Sequence, residues 1–275
     1  RFLCCIDGSE SSELAYKMVK NMMKPRDSLL MFHAHKSEDS MFEIHPEDLH
    51  RRYKNQLIGD VQPSTRFDME WYQRQENETV LHALQKHLNK YKPAPDFIVF
   101  GQTGRKGIKQ DHPTTLGSNS DLALRKLHMP CIIAKRHLHT EPRTYLYVVN
   151  DSMSSKLGFD IILQLVRACD TLTVVHAVDN TERGLVDGVK KPTIEEVNEL
   201  REYYDTELYK YGPRQCSFVV TYVKENLSIA EHITEYSNKQ DPDFLALAPR
   251  AKSNLSPMTD YIIGHVRASI ILCKN

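Results

Sequence analysis

The sequence has no excess of charge of either sign, no long apolar run and no paired-cysteine motif, and each absence removes a class of function. Its 36 Lys and Arg are matched by 36 Asp and Glu, with a pI near 7.3, so no chain-wide basic field points to a nucleic-acid or membrane surface. Small molecules and other proteins are the expected partners, with no nucleic acid and no membrane. No stretch nears the roughly 18 apolar residues that span a bilayer, and no signal-peptide pattern opens the sequence. A cytoplasmic protein is therefore expected, although Arg1 already lies in an apolar run and leaves an upstream segment open. The six cysteines, at 4, 5, 131, 169, 216 and 273, show no CxxC spacing and sit mostly in apolar stretches, as buried thiols of a reducing compartment do. A Walker-type lysine motif is also missing. So is any convincing pairing of nucleophile and base, and no catalytic residue is assigned. His33 with His35, and His137 with His139, lack carboxylates or cysteines at ligand spacing and do not read as a zinc site.

What is present is one pattern, twice. A chain of 275 residues suffices for two domains with separate cores. "FLCCI" is an apolar run of strand length, broken by "DGSESS", and Leu14, Met18, Val19 and Met22 then recur at helical spacing up to Pro25. The run continues as a strand at 28–35, a helix around 47–58, the alternating strand "TRFDMEWY" and a helix carrying Val80, Leu81, Leu84 and Leu88. "DFIVFG", a helix over 118–128 and "CIIAK" close the first half. The pattern restarts at "YLYVVNDSMSS", which follows the outline of "FLCCIDGSESS". It proceeds through a helix to Ala168, "TLTVVHAV", a helix over 193–211, "CSFVVTYV", a helix over 226–238, "DFLALA", a helix near 259–268 and "SIILCK". Strands alternating with helices imply right-handed parallel units and doubly wound sheets, five strands and four helices in each half. The polar connector "RHLHTEPR" sets the domains at 1–140 and 141–275.

In an open parallel sheet of order 3-2-1-4-5, ligands bind beyond the strand carboxyl ends where the winding reverses, between the first and fourth strands. The segments leaving there are "DGSESS" and "GQTGRKGIKQDHPTTLGSNS". Gly101 and Gly104 have no Cβ, so a ribose or phosphate can approach their backbone, and each can take a positive φ in a tight turn. Gly117 and Ser118 open a helix whose unpaired N–H groups favour an anion. Ser118 and Ser120 bring hydroxyls, Asp7 stands ready for a ribose hydroxyl or a cation on phosphates, and Lys106 and Lys109 bring positive charge. Turn-only glycines, and an ordinary N-cap role for Asp7 with Ser9, are the plain alternatives.

Gly101-x2-Gly104, the later Gly117-Ser118 pair, Asp7 and the repeated architecture together resemble the universal stress protein family, across essentially the whole chain in two tandem copies. The resemblance implies two flavodoxin-like, adenine nucleotide alpha hydrolase-like layered α/β domains, each a mainly parallel five-stranded sheet flanked by helices. It implies ATP as ligand, with AMP or ADP as alternatives and Mg or Mn accompanying the phosphates, with Asp7 as the contact to that metal. The implied binding residues are Asp7, Gly8, Ser9, His33, Ala34, Gly101, Thr103, Gly104, Lys106, Gly117, Ser118, Asn119 and Ser120. The adenine is expected near the main chain of His33 and Ala34. Twelve residues, 105–116, separate Gly104 from Gly117, against nine in the family's usual motif, and this insertion bears on the placement of Lys106 and Lys109. The resemblance further implies an internal pseudo-dimer through the fifth strands "CIIAK" and "SIILCK", with a homodimer as another possibility.

The second copy departs from the motif. Gap-free alignment back from Lys135 and Lys274 places Ser256 opposite Gly117 and Pro257, which has no N–H, opposite Ser118. Ala248 and Ala251 stand opposite Gly101 and Gly104, and Asn150 opposite Asp7. One nucleotide per chain, in the first half, is expected, with the second half a degenerate pairing domain. The function expected is ATP-binding stress-response regulation. A ligand-free scaffold and a slow ATP hydrolase are the alternatives. "DGSESS" lacks the glycine pair that an adenylating enzyme of the related type carries after its first strand.

Overall fold

The computed structural model describes residues 1–35, 46–60, 66–104, 116–138, 141–179, 192–249 and 255–274. The chain divides into two compact units, Arg1–His137 and Leu138–Asn275.

The first unit runs β1 (Phe2–Cys5), α1 (Glu10–Met22), β2 (Ser28–His35), α2 (Pro46–Asp60), β3 (Arg66–Gln73), α3 (Val80–Leu88), β4 (Phe97–Gly101), α4 (Ser118–Lys126) and β5 (Cys131–Ala134). The second runs β6 (Thr144–Val149), α5 (Met153–Leu165), β7 (Thr171–Val178), α6 (Ile194–Tyr211), β8 (Gln215–Tyr222), α7 (Ile229–Gln240), β9 (Phe244–Leu247), α8 (Pro257–His265) and β10 (Ser269–Leu272). Every strand pair within a unit is parallel. The orders are β3-β2-β1-β4-β5 and β8-β7-β6-β9-β10, the same doubly wound arrangement and the one expected from sequence. Because the winding reverses between β1 and β4, the carboxyl ends of those strands form the crevice of the first unit.

Strands flanked by helices on both faces read as unbroken apolar runs, and β4 and β5 are buried along their whole length. Between sheet and helices the first unit packs Tyr16 of α1 edge-on to Tyr53 of α2, ring centres 5.1 Å apart. The second packs Phe159 of α5 against Tyr204 of α6 at 5.3 Å, and Tyr204 in turn on Phe218 at 5.7 Å. Helix starts follow N-cap chemistry: Ser9, Thr79, Ser152, Thr193, Ser228 and Ser256 each accept a bond from the N–H three residues on. These caps explain why α7 and α8 begin at 229 and 257 rather than at the 226 and 259 read from periodicity. Among the described residues no helix is long and apolar enough to cross a membrane.

Candidate functional site

At the tip of β1, Asp7 Oδ1 accepts from both the Ser9 backbone N–H, at 3.0 Å, and the Ser9 hydroxyl, at 2.6 Å. That tight turn is closed by Gly8, the one glycine among the described residues with a positive φ, at 80°. Ser9 then caps α1 through Ser12 N at 3.1 Å, so the cap role of the Asp7–Ser9 pair is present in full. The other carboxylate oxygen faces the loop after β4: a Cβ on Gly104 would stand 3.1 Å from Asp7 Oδ2 and would meet nothing else closer than 4 Å among the described residues. The first and fourth strand exits are thus brought together.

Gly101 and Gly104 can each take a positive φ, and neither does. Gly101 is explained by packing instead. A Cβ there would lie 2.5 Å from the carbonyl carbon and oxygen of Ser11, so β4 can pass beneath the first turn of α1 only where a side chain is missing. Bonds fasten the same junction: Thr103 N–H donates to Ser11 Oγ at 3.1 Å and Ser120 Oγ to the Gly101 carbonyl at 2.8 Å. Ser120 is buried, and its proton is directed to that carbonyl rather than outward. Gly117 also packs closely, its Cβ position 3.1 Å from Thr103 Cα, and its N–H donates to the Gln102 carbonyl at 2.8 Å. Lys106 and Lys109 lie outside the described residues.

The distinctive feature is the start of α4. Every other helix whose N-cap is described ends in a Ser or Thr hydroxyl bound to its own backbone, whereas Gly117 offers no side-chain cap. Exposed Ser118 and Asn119 follow it at the positive end of the helix dipole. In the second unit the equivalent end is closed: Ser256 Oγ accepts from Thr259 N–H at 3.2 Å and Pro257 occupies the first helical position. Asn150, in the place of Asp7, turns to the helix and accepts from Ser155 Oγ at 2.9 Å. Ala251 lies outside the described residues.

His33 was expected to contribute main chain near a base. Its ring is buried, and Nδ1–H donates to the Ile6 carbonyl at 2.7 Å, tying β2 to the tip of β1. Ala34 is half-buried beside it, paired with Tyr72. Sequence reasoning overlooked this histidine's structural role, although the repeat announces it. The offset that sets Asp7 on Asn150 also sets His33 on His176, whose Nδ1 meets the Val149 carbonyl at 3.1 Å.

A divalent cation would find few protein ligands. No group of three or more His, Cys, Asp or Glu capable of holding one occurs among the described residues. With Asp7 as its protein ligand, such an ion would rely on phosphate and water oxygens, which suits Mg²⁺.

No protein-family model matches the chain, and no curated protein matches it in sequence. Solved structures do. A universal stress protein from Archaeoglobus fulgidus aligns over 99% of this chain and 97% of its own, at 13% identity and a TM-score of 0.65. A putative universal stress protein from Pseudomonas aeruginosa UCBPP-PA14 aligns over 99% and 92%, at 14% identity and a TM-score of 0.59. A protein of unknown function from Pseudomonas aeruginosa PAO1 aligns over 99% and 92%, at 13% identity and 0.59. The class of protein is therefore a doubly wound α/β chain with its candidate site at the strand carboxyl ends. In particular, it has the tandem fold of these universal stress proteins, two copies in one polypeptide.

Proposed function

We propose that the first unit binds one adenine nucleotide, ATP in the cell, and that the chain is a cytoplasmic nucleotide-responsive regulator whose second unit has lost its site. The observation that carries this reading is the contrast between α4 and α8. One helix start is left without a side-chain cap, facing a crevice that also holds Asp7 and Gly104, and the other is closed by Ser256 and Pro257. Backbone N–H groups of Ser118 and Asn119 would take phosphate oxygens, Asp7 a ribose hydroxyl or a cation on the phosphates, and Gly104 would leave room for both. The chemistry supported is binding: among the described residues the Ser9 hydroxyl that donates to Asp7 is held in the cap of α1.

Equilibrium dialysis with labelled ATP tests the central claim, with one nucleotide per chain expected. Two per chain would overturn the assignment of a closed second site. None at millimolar ATP would favour a ligand-free scaffold, a reading that draws support from Gly101 and Gly117, whose missing side chains packing alone explains.

A further inference from the structure

Both copies carry a histidine at the same place in their second strand, and in both the ring bonds to the carbonyl that ends the first strand. That shared contact is architectural. What surrounds it is not shared. In the first unit the register sets Trp71 beside His33, with His35 two residues further along the same face; in the second unit Val220 stands beside His176 and Val178 takes the place of His35. Trp71 meets the His33 ring edge-on at 5.2 Å. His35 lies nearly parallel to His33 at 6.0 Å, and exposed His50 of α2 tilts over Trp71 at 5.6 Å. Trp71 is partly exposed, yet its Nε1 is buried and has no hydrogen-bond partner among the described residues. A buried indole N–H ordinarily finds an acceptor.

This cluster sits near the carboxyl ends of β2 and β3. It touches the candidate site through His33, because the carbonyl that His33 holds belongs to the residue before Asp7. Flat, partly open rings complement the face of a heteroaromatic base. We propose that Trp71, with His35 and His50, forms the platform on which the base of a purine nucleotide stacks, and that Trp71 sets the preference for a two-ring base over a pyrimidine. This rests on the nucleotide reading of the first unit. It also adds a second, independent difference between the copies, since valines replace the platform where the helix start is closed.

Trp71 is the chain's one tryptophan, so its emission reports on this place alone. ATP, CTP and inorganic tripolyphosphate are titrated into the full chain, with emission and equilibrium dialysis read in parallel. The expectation is that ATP changes the emission strongly and CTP binds more weakly. Tripolyphosphate, which has no base, should bind without changing the emission. Trp71→Leu should weaken ATP about tenfold or more, as loss of base stacking does, leave tripolyphosphate unaffected, and be largely rescued by Trp71→Phe. Stoichiometric ATP binding with unchanged Trp71 emission, or equal affinity in Trp71→Leu, overturns the platform and leaves the nucleotide reading standing. Should Trp71→Leu not fold, the wild-type emission decides the matter. Absence of any ATP binding removes the nucleotide reading, and the platform falls with it.

Discussion

Gly101 and Ser11 are so close that a Cβ on the glycine would stand 2.5 Å from the Ser11 carbonyl carbon. Neither backbone yields cheaply, because β4 is buried on both faces and α1 is fixed by its Ser9 cap. Gly101→Ala is therefore an overpacking substitution with an expected cost of about 1–3 kcal/mol. It should lower the thermal midpoint of the nucleotide-free protein. An effect seen only with nucleotide present would mean that this glycine serves the ligand instead.

The second copy solves the same junction in reverse. Its strand carries Ala248 and its helix carries Gly158, whose Cβ position lies 2.7 Å from the Ala248 Cβ and 2.4 Å from the Tyr147 hydroxyl. Tyr147 replaces Cys4 at the equivalent place in the strand and donates to the Ser155 carbonyl at 2.6 Å. From sequence, Ala248 opposite Gly101 reads as a methyl blocking a ligand. The structure shows a strand glycine exchanged for a helix glycine, with a tyrosine filling the space between. The strands were legible because periodicity depends on neighbours along the chain. The Gly101–Ser11 approach was not legible, because it depends on two segments ninety positions apart, whereas the 143-residue offset that aligns Asp7 with Asn150 did carry the His33–His176 equivalence.

Ser256 caps α8 where Gly117 leaves α4 uncapped. Ser256→Ala should cost about 1 kcal/mol, the usual worth of an N-cap hydroxyl, read as a lower urea midpoint with an unchanged slope. Nucleotide stoichiometry should stay at one per chain, because Pro257 still withholds an N–H from the opened end. A second bound nucleotide in this variant would show that the cap alone closed the site.

Lys135 follows β5, and burial pushes its ammonium down to about 8. Between that value and the ordinary lysine range the unfolded chain binds the extra proton and the folded chain does not, so this group makes stability rise with pH across the window. Buried Cys4 and Tyr53 and half-buried Cys5, raised chiefly by desolvation, act in the opposite sense above the ordinary thiol and phenol range. The contribution is isolated by comparing wild type with Lys135→Met. The variant should be the more stable at pH 7, and its advantage should shrink as pH rises from 8 toward 10. A constant difference across that range would show that Lys135 is charged and well solvated.

Gly104 differs from Gly101 in what surrounds its Cβ position. Its backbone does not require a left-handed conformation, and the neighbour its Cβ would meet is Asp7 Oδ2, at 3.1 Å. Gly104→Val should therefore fold with a thermal midpoint close to wild type, while its methyls crowd the carboxylate and fill the space left for phosphate and ribose. Retention of ATP in dialysis should be lost, and Gly104→Ala should show a partial loss. The pairing of Gly101→Ala with Gly104→Val separates architecture from site within four residues of sequence, the first moving stability and the second affinity. Gly104→Val with wild-type affinity would place the phosphates away from the β4 exit, and the crevice between β1 and β4 would then be a structural junction alone.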